Sequence, residues 1–559
     1  MTGCKGSDTP SETADMLLIN CNIAAMTDSV TSGNAIAVKG DTIWKIGFIE
    51  NLQQYKSDST IVIDAKNNFV MPGLIDSHLH LLGVGYSKIN LDLSEAKNWD
   101  EVVLMVVNAA ADAGIGKWII GRGWHQDKWD PKPLDNVNGY PVHTMLSEAV
   151  PGNPVILSHA SGHAVIANQK AMDLAGITDS TANPEGGIIL RDTDGHATGV
   201  FEETAEEVIW APYIAKQEKR SAIQVKEDNK KALKLAFDEL AKYGITSIHD
   251  AGSSFDEVAL YSDMAKKDQL TARLNIMIYE TNKNIRAEIS NYSGSDFNNK
   301  FLRVKSVKKY IDGALGSRGA WLFEPYNDLP DYTGLNVTPL DELRETAKIC
   351  LKNGLQLCTH AIGTRGNSEI LDIYQNAMKK LENPALVRWR VEHAQHVLPT
   401  DVKRFANLGI IAAMQGKHCT SDAIFVIDRL GRERAKETSY IWRDMINAGV
   451  VVCNGTDAPV EKVDPFASLY SSITRRLDNG DYFFSEQAMT REEALKSYTV
   501  NGAYASFEES IKGTLEVGKL ADIVILDTDI LTAPEAEIKT AKVLFTILGG
   551  KIIYTLGED

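Results

Sequence analysis

Eight short apolar segments, most of them separated by helix-like stretches, limit the folds that this chain can adopt. Patterns typical of helices stand between them, such as NKKALKLAFDELAKY before the second segment and LDELRETAKICLKN before the fifth. Eight alternating strands and helices are typical of a (β/α)8 TIM-type barrel, whose active site lies at the carboxyl ends of the strands. We therefore predict an α/β fold with such a barrel in residues 71–505. Its strands are expected in GLIDSHLH (73–80) and in residues 244–252, 272–279, 304–313, 355–363, 387–395, 408–418 and 449–459.

Two β-rich regions lie outside this repeat, one near each end of the chain. Residues 16–70 and 506–559 contain short apolar runs punctuated by Gly and Asn, and we expect them to pair into one composite β-sandwich. Residues 1–15 are predicted to be a flexible tether. The 81–243 stretch between the first two barrel strands is far too long for a βα loop, which predicts an inserted subdomain within about 115–215.

The composition narrows the class of partner. The chain is 44% hydrophobic and 24% charged, which fits a soluble globular protein, and its net charge of −17 argues against nucleic acid as a partner. No apolar run reaches the roughly 18 residues needed to span a bilayer. The six cysteines show no CxxC spacing and suggest neither a disulfide framework nor a cysteine-based zinc site. We expect a small-molecule substrate, and a homodimer remains open.

The first residues suggest a location. Thr2-Gly3-Cys4, followed by a polar stretch, resembles the processing site of a bacterial lipoprotein, where a lipid is attached to the cysteine after an apolar signal is removed. This predicts a lipid on Cys4 and an anchored protein of the bacterial periplasm or cell surface, with Met1 not the native start. The alternative is a cytoplasmic protein with an unmodified Cys4.

Side chains of the types that bind metals lie near the carboxyl ends of several predicted barrel strands. Side chains two apart in a strand share one face, so the two histidines of the first strand point the same way. Because a barrel brings its strand ends together, these residues should meet, and nitrogen and carboxylate ligands suit Zn²⁺. The candidates are His78 and His80 on the first strand, His360 on the fifth, His393 on the sixth and Asp457 on the eighth, with Lys308 near the centre of the fourth.

The stretches MPGLIDSHLH, VKKYIDGALGSR, THAIG, EHAQ, GTDAPVE and GTLEVGKLADIVILD together resemble the amidohydrolase superfamily, and more closely its YtcJ-like branch, which includes the N-substituted formamide deformylases. The resemblance implies a barrel that holds one or two divalent metals and hydrolyses C–N or C–O bonds. It implies one metal on His78, His80 and Asp457 and a second on His360 and His393.

Lys308 matches the position at which this family has a lysine carboxylated to a bridging carbamate. Lys309 is the alternative, but the alternation of a strand lets only one of the two face inward. Related sequences have Gln-Pro where this chain has Gln415-Gly416, so the shape of that loop is open.

From this chemistry we predict hydrolysis of an amide-type C–N bond, such as an N-formyl or N-acyl bond, by a metal-activated hydroxide. Asp457 is predicted to be both a metal ligand and the general base that returns the proton to the leaving amine. His418 is predicted to hydrogen-bond the substrate carbonyl or the developing oxyanion, the alternative being a loop histidine.

Four further residues are predicted to contact the substrate. Trp124 and Trp129, in GWHQDKW, are expected to offer an apolar surface to the substrate, with His125 beside them. His163 is expected in the pocket, and Arg318 is expected to reach a substrate carboxylate. The alternatives are a core role for the aromatic residues and support of the fourth loop for Arg318.

Two other functions compete with this prediction. A mononuclear deaminase of the same superfamily usually has a glutamate three residues after the fifth-strand histidine, and this chain has Gly363 there. A metal-free relative that acts as a binding or scaffold protein is the second alternative, although none of the expected ligands is missing. Metal analysis of the purified protein separates the scaffold from the two enzymes.

Overall fold

The structure is a computed structural model that describes residues 12–27 and 32–557. Cys4, and with it the predicted lipid attachment site, lies outside the described residues. In the described part of the chain, none of the helices combines the length and the apolar character that crossing a membrane requires. The strands are β1 (Met16–Ile19), β2 (Asn22–Ile23), β3 (Ala35–Lys39), β4 (Thr42–Gly47), β5 (Ile61–Asp64), β6 (Phe69–Pro72), β7 (Leu74–Leu79), β8 (Leu91–Asp92), β9 (Ile119–Trp124), β10 (Asn136–Val137), β11 (Tyr140–Pro141), β12 (Val155–His159), β13 (Ala164–Ala167), β14 (Gly187–Arg191), β15 (Ala197–Glu203), β16 (Ile245–Ser253), β17 (Arg273–Ile278), β18 (Leu302–Tyr310), β19 (Gln356–Ala361), β20 (Arg390–His393), β21 (Ile411–Met414), β22 (Val452–Asn454), β23 (Ile523–Leu526), β24 (Val543–Leu548) and β25 (Lys551–Thr555).

The helices mostly follow the strands of the barrel, as the alternating pattern predicts. They are α1 (Ile49–Leu52), α2 (Leu81–Ser87), α3 (Trp99–Ala113), α4 (Thr144–Ala149), α5 (Gln169–Ala175), α6 (Ala205–Glu218), α7 (Ala222–Lys242), α8 (Phe255–Ala265), α9 (Asn282–Glu288), α10 (Leu340–Asn353), α11 (Thr364–Met378), α12 (Pro399–Leu408), α13 (Gly416–Leu430), α14 (Arg432–Thr438), α15 (Trp442–Asn447), α16 (Pro465–Thr474), α17 (Arg491–Ser497), α18 (Val500–Ala505) and α19 (Glu535–Ile538).

Eight parallel strands form the barrel, in the order β22-β21-β20-β19-β18-β17-β16-β7. Their residues are buried nearly throughout, as expected for parallel strands covered by helices. The two outermost strands meet just beyond their ends, where the Asp457 backbone N–H donates to the His78 carbonyl (2.7 Å) and the His80 N–H donates to the Ala458 carbonyl (2.8 Å). The predicted TIM-type barrel is confirmed, and these two bonds bring the first and eighth strands together at its mouth.

The two ends of the chain form two further sheets. One has the order β4-β3-β1-β5, and the other, β2-β6-β23-β24-β25, joins strands from both ends because β23 pairs antiparallel with β6. Apolar side chains of the two sheets share one core that includes Leu18, Ile36, Val70 and Ile525. Whether these sheets act as a separate domain stays a prediction.

The inserted segment between β7 and β16 carries a six-stranded sheet of order β14-β15-β13-β12-β9-β8. Its β14–β15 hairpin turns at Asp194-Gly195, where Gly195 has a φ of +89°. The sheet packs on α3 around a core that contains Leu93, Trp99 and Leu157. The sheet spans Leu91 to Glu203 and therefore begins earlier than the range of about 115–215 that the sequence suggests.

Candidate metal centre

Three histidine side chains surround the carboxylate of Asp457 at the mouth of the barrel. His78 and His80, at the end of β7, place their Nε2 atoms 3.6 Å and 3.2 Å from Asp457 Oδ1. His418, near the start of α13, places its Nε2 3.8 Å from Asp457 Oδ2. The first strand, the seventh loop and the eighth strand therefore converge on one carboxylate.

His360 and His393 complete the cluster from the fifth and sixth strands. Their ring centroids lie 4.5 Å apart, and the His393 ring lies 4.8 Å from that of His78. His393 Nδ1 pairs with Gln415 Oε1 at 2.7 Å, which commits this nitrogen and leaves Nε2 for other partners. The structure thus brings together all five predicted histidine and aspartate ligands.

Two of these residues have left-handed backbone conformations. His393 has a φ of 71° and Asp457 a φ of 56°, a region that residues other than glycine rarely adopt. Each residue lies where a strand ends, so the regular alternation of side chains is broken there. Such local strain is typical of functional sites, where the surrounding structure holds a side chain in place.

Burial sets the protonation of the cluster. It lowers the pKa of His78 to about 4, with Lys308 as the second cause, and it holds the pKa values of His360 and His393 well below the usual range. Burial alone would raise the pKa of Asp457, but the contact with His80 and the other histidines around the carboxylate hold that pKa well below its usual range. At neutral pH the site therefore combines the neutral imidazoles of His78, His360 and His393 with an ionised carboxylate.

Lys308 lies inside the cluster and Lys309 lies outside it. Lys308 is fully buried, and its Nζ is 3.4 Å from His78 Nε2. Burial lowers the pKa of Lys308, which favours the uncharged amine. The neighbouring Lys309 donates from Nζ to the Glu280 carbonyl and to Glu342 Oε1, both at 3.1 Å. The strand therefore directs only Lys308 to the mouth.

Sequence reasoning missed the buried charges that orient His78. The Glu392 carboxylate pairs with His78 Nδ1, and Arg390 donates to both of its oxygens at 2.7 and 2.8 Å. Arg390 also donates to the Ser77 carbonyl at 2.7 Å. A carboxylate on one ring nitrogen fixes the tautomer and directs the other nitrogen to a metal. The available signal was two opposite charges, two residues apart, on one face of a short buried strand.

The donor set fits a divalent metal. Among the described residues, His360 Nε2, His418 Nε2 and Asp457 Oδ1 are buried and find no hydrogen-bond partner, and an unpaired buried polar atom costs about 1–3 kcal/mol. A cation at this point would satisfy these atoms. Two sets of residues each place their candidate ligand atoms within 4.8 Å of one another. The first set is His78, His80 and Asp457, and the second is His393, His418 and Asp457. His418 belongs to the second set, so its Nε2 could bind a metal or donate the predicted hydrogen bond, but not both at once.

Two cavities meet at the cluster, and His163 from the inserted segment lies between them. One has a volume of about 50 Å³ and the other of about 640 Å³, and His163, His360, His393 and Asp457 line both. His163 Nδ1 pairs with Glu203 Oε2 at 2.9 Å. Burial opposes the charged form of His163, but Glu203 outweighs it and raises the pKa of His163. The structure therefore places His163 in the pocket region.

Trp124, Trp129 and Arg318, which were predicted to contact the substrate, line neither cavity that contains Asp457. Trp124 is fully buried in the core of the inserted segment, and its Nε1 donates to the Leu157 carbonyl at 2.8 Å. Trp129 packs on Trp124 and lines a groove that shares His125 and Val460 with the small cavity. Arg318 pairs with Asp328 at 2.8 Å and lines neither cavity that contains Asp457. Packing and ion pairing hold these three side chains away from the metal-type ligands.

The fold and the site together define a class of protein. A TIM-type barrel that gathers histidines and an ionised aspartate at its mouth is that of a metal-dependent hydrolase. In agreement, the structure superimposes on that of an uncharacterized metal-dependent hydrolase from Pyrococcus furiosus with a TM-score of 0.70 and 26% identity, covering 92% of this chain and 100% of that one.

The chain belongs to the amidohydrolase family, whose family model matches residues 61–554. It is 32% identical to Protein LONG AFTER FAR-RED 3 of Arabidopsis thaliana, covering 97% of this chain and 92% of that protein. It is 27% identical to the N-substituted formamide deformylase of Arthrobacter pascens, covering 97% of this chain and 98% of that protein. The family resemblance predicted from the sequence is confirmed.

Proposed function

We propose that the protein hydrolyses an amide-type C–N bond, N-formyl or N-acyl, outside peptides. The observation that carries this proposal is the ionised carboxylate of Asp457, which lies 3.2–3.8 Å from the Nε2 atoms of His78, His80 and His418. The similarity to an N-substituted formamide deformylase supports the choice of bond.

We propose that His78, His80 and Asp457 would hold one divalent metal, most simply Zn²⁺, because its preferred ligands are of these types. His360 and His393 would hold a second, and a carbamate on Lys308 would be a further ligand. A bound metal would supply a Lewis acid that polarises the carbonyl and lowers the pKa of a bound water to about 7.

The chain's own residues supply the proton transfers and the orientation of the substrate. Asp457 accepts the proton of the attacking water at a carboxylate oxygen and delivers it to the leaving nitrogen. His418 Nε2, which is buried and unpaired, donates a hydrogen bond to the carbonyl oxygen as negative charge develops there. Glu392 holds His78 in place throughout.

A deaminase is the second candidate, and one position argues against it. The residue three after His360 is Gly363, whose backbone N–H donates to Asp312 at 2.7 Å. A Cβ at this glycine would lie 2.1 Å from the Trp321 carbonyl oxygen, so the backbone leaves no room for a glutamate. A metal-free scaffold is disfavoured by the unpaired polar atoms of the cluster, which a cation would satisfy.

The substitution Asp457→Asn tests the proposal, because it keeps the shape of the side chain and removes its basicity. We expect hydrolysis of N-formyl- and N-acetyl-phenethylamine by the zinc-loaded enzyme to fall by about three orders of magnitude or more. Ammonia release from adenine or cytosine measures the deaminase alternative in the same samples.

The control is Asp401→Asn, a buried aspartate paired with Arg404 on α12, which should retain near-normal turnover. Near-normal turnover by a metal-replete Asp457→Asn variant would remove Asp457 from the mechanism. A purified wild type that contains no metal would support the scaffold instead.

A further inference from the structure

The two cavities that meet at Asp457 differ in size by more than tenfold, at about 50 Å³ and about 640 Å³. A scissile amide at Asp457 has two substituents, one on its carbonyl carbon and one on its nitrogen. Each cavity can therefore take one of them. This inference rests on the proposed function.

The small cavity is bounded by an aromatic wall from the barrel and the inserted segment. Phe425 of α13 is buried and stacks on His125, with ring centroids 5.3 Å apart and an interplanar angle of 27°. Gly316, in the loop after β18, faces this pair. A Cβ at Gly316 would lie 3.3 Å from Phe425 Cζ and 3.5 Å from His125 Nε2. Phe425 and Gly316 therefore set the room in this cavity.

The position of the carbonyl decides which substituent enters which cavity. Of the two cavities, His418 lines only the small one, and its unpaired Nε2 is the donor proposed for the carbonyl oxygen. Lys308, Trp210 and Ile214 line only the large one. A carbonyl held by His418 directs the acyl substituent into the small cavity and leaves the large cavity for the amine.

We propose that Phe425 and Gly316 limit the acyl group of the substrate to about the size of formyl or acetyl, while the large cavity binds the amine portion. A cavity of about 50 Å³ holds only a few small groups. One methylene more than an apolar pocket can hold lowers kcat/KM by about 10- to 200-fold. A small cavity therefore discriminates strongly between acyl groups of different length.

The test measures kcat/KM of the zinc-loaded enzyme on formyl, acetyl, butyryl and benzoyl amides of one amine, phenethylamine. Wild type should lose at least about tenfold from acetyl to butyryl. Gly316→Ala should lose acetyl turnover by about tenfold and retain formyl turnover. Phe425→Ala, with Phe425→Leu as the milder variant, should raise the butyryl-to-acetyl ratio by about tenfold.

Trp210→Ala is the matched control in the large cavity. It should change the ranking among N-formyl derivatives of methylamine, phenethylamine and naphthylmethylamine and leave the acyl ranking unchanged. If Gly316→Ala and Phe425→Leu both hydrolyse the amides and rank the acyl groups as wild type does, this inference is wrong while the proposed function stands. No hydrolysis of any amide by the zinc-loaded wild type would overturn the proposed function and this inference with it.

Discussion

Two adjacent lysines on β18 point to opposite sides of the strand, so only one of them reaches the metal-type ligands. Lys308 Nζ is 3.4 Å from His78 Nε2, whereas Lys309 Nζ bonds Glu342 on the opposite side of the strand. If Lys308 is the carbamate ligand proposed above, Lys308→Ala should lower the bound metal from two ions to one and lower turnover by about 100-fold or more. Metal analysis of the purified variants gives the count.

Lys309→Ala is the matched control, and it should keep the wild-type metal content. Bicarbonate with a short carboxylic acid should restore part of the turnover of Lys308→Ala, because the acid takes the place of the missing carbamate. Equal metal content in the two variants would remove Lys308 from the ligands.

The residues at the strand ends could be predicted from the sequence because a barrel brings its strand ends together whatever the details of packing. His78, His80 and His393 were found in this way. Arg390 and Glu392 were missed because they act through His78, and their mutual pairing inside the barrel depends on three-dimensional contacts. His418 was found, but its approach to both Asp457 and His393 depends on the loop before α13, which the sequence left open.

At the scale of elements, the eight barrel strands were predictable because each is a short apolar run between helical patterns. The direction of Trp124 was not, because β9 pairs with β12 through an irregular register at its end, and only this pairing decides which face each side chain takes. The early start of the inserted sheet was hidden as well, since β8 is only two residues long.

The inserted sheet depends on Trp124, whose ring packs against those of His159 (4.8 Å), Trp129 (5.9 Å) and Tyr140 (6.2 Å). Trp124→Ala should destabilise the protein by about 3–5 kcal/mol through the cavity that it leaves. It should slow all substrates by one common factor, because Trp124 touches neither cavity that contains Asp457. Urea unfolding and a substrate ranking measure the two effects.

Trp44→Ala serves for comparison, because Trp44, in β4 of the first sheet, is only partly buried and packs on Tyr55. Trp44→Ala should lower the free energy of unfolding by less than Trp124→Ala does. A change of substrate ranking in Trp124→Ala would show that this side chain contacts the substrate.

At the scale of the whole molecule, buried neutral histidines make stability depend on pH. His159 is fully buried, its Nε2 has no hydrogen-bond partner in the part of the chain that the structure describes, and burial lowers its pKa from 6.5 to about 3. As the pH falls below 6.5 the unfolded chain binds a proton at this position before the folded chain does. The contribution of His159 to stability is therefore complete above pH 6.5 and is lost on acidification, at about 1.4 kcal/mol per pH unit.

His159→Gln removes this titration. The difference in the free energy of unfolding between wild type and variant should shrink by about 3 kcal/mol from pH 6.5 to pH 4, because only the wild type loses stability at this position. Urea unfolding of both proteins across this range measures it. A difference that stays constant with pH would show that His159 is protonated to the same extent in the folded and unfolded chains.

The sheet that joins both ends of the chain has a consequence for biosynthesis. β6 leaves the ribosome about 450 residues before its partner β23, and at about 5–20 residues per second this delay is roughly 20–90 seconds. During translation β6 can pair with β2 on one side, while its other edge stays open. The nascent barrel therefore emerges with an unpaired strand edge beside it, and completion of this sheet is one of the last events in the maturation of the enzyme.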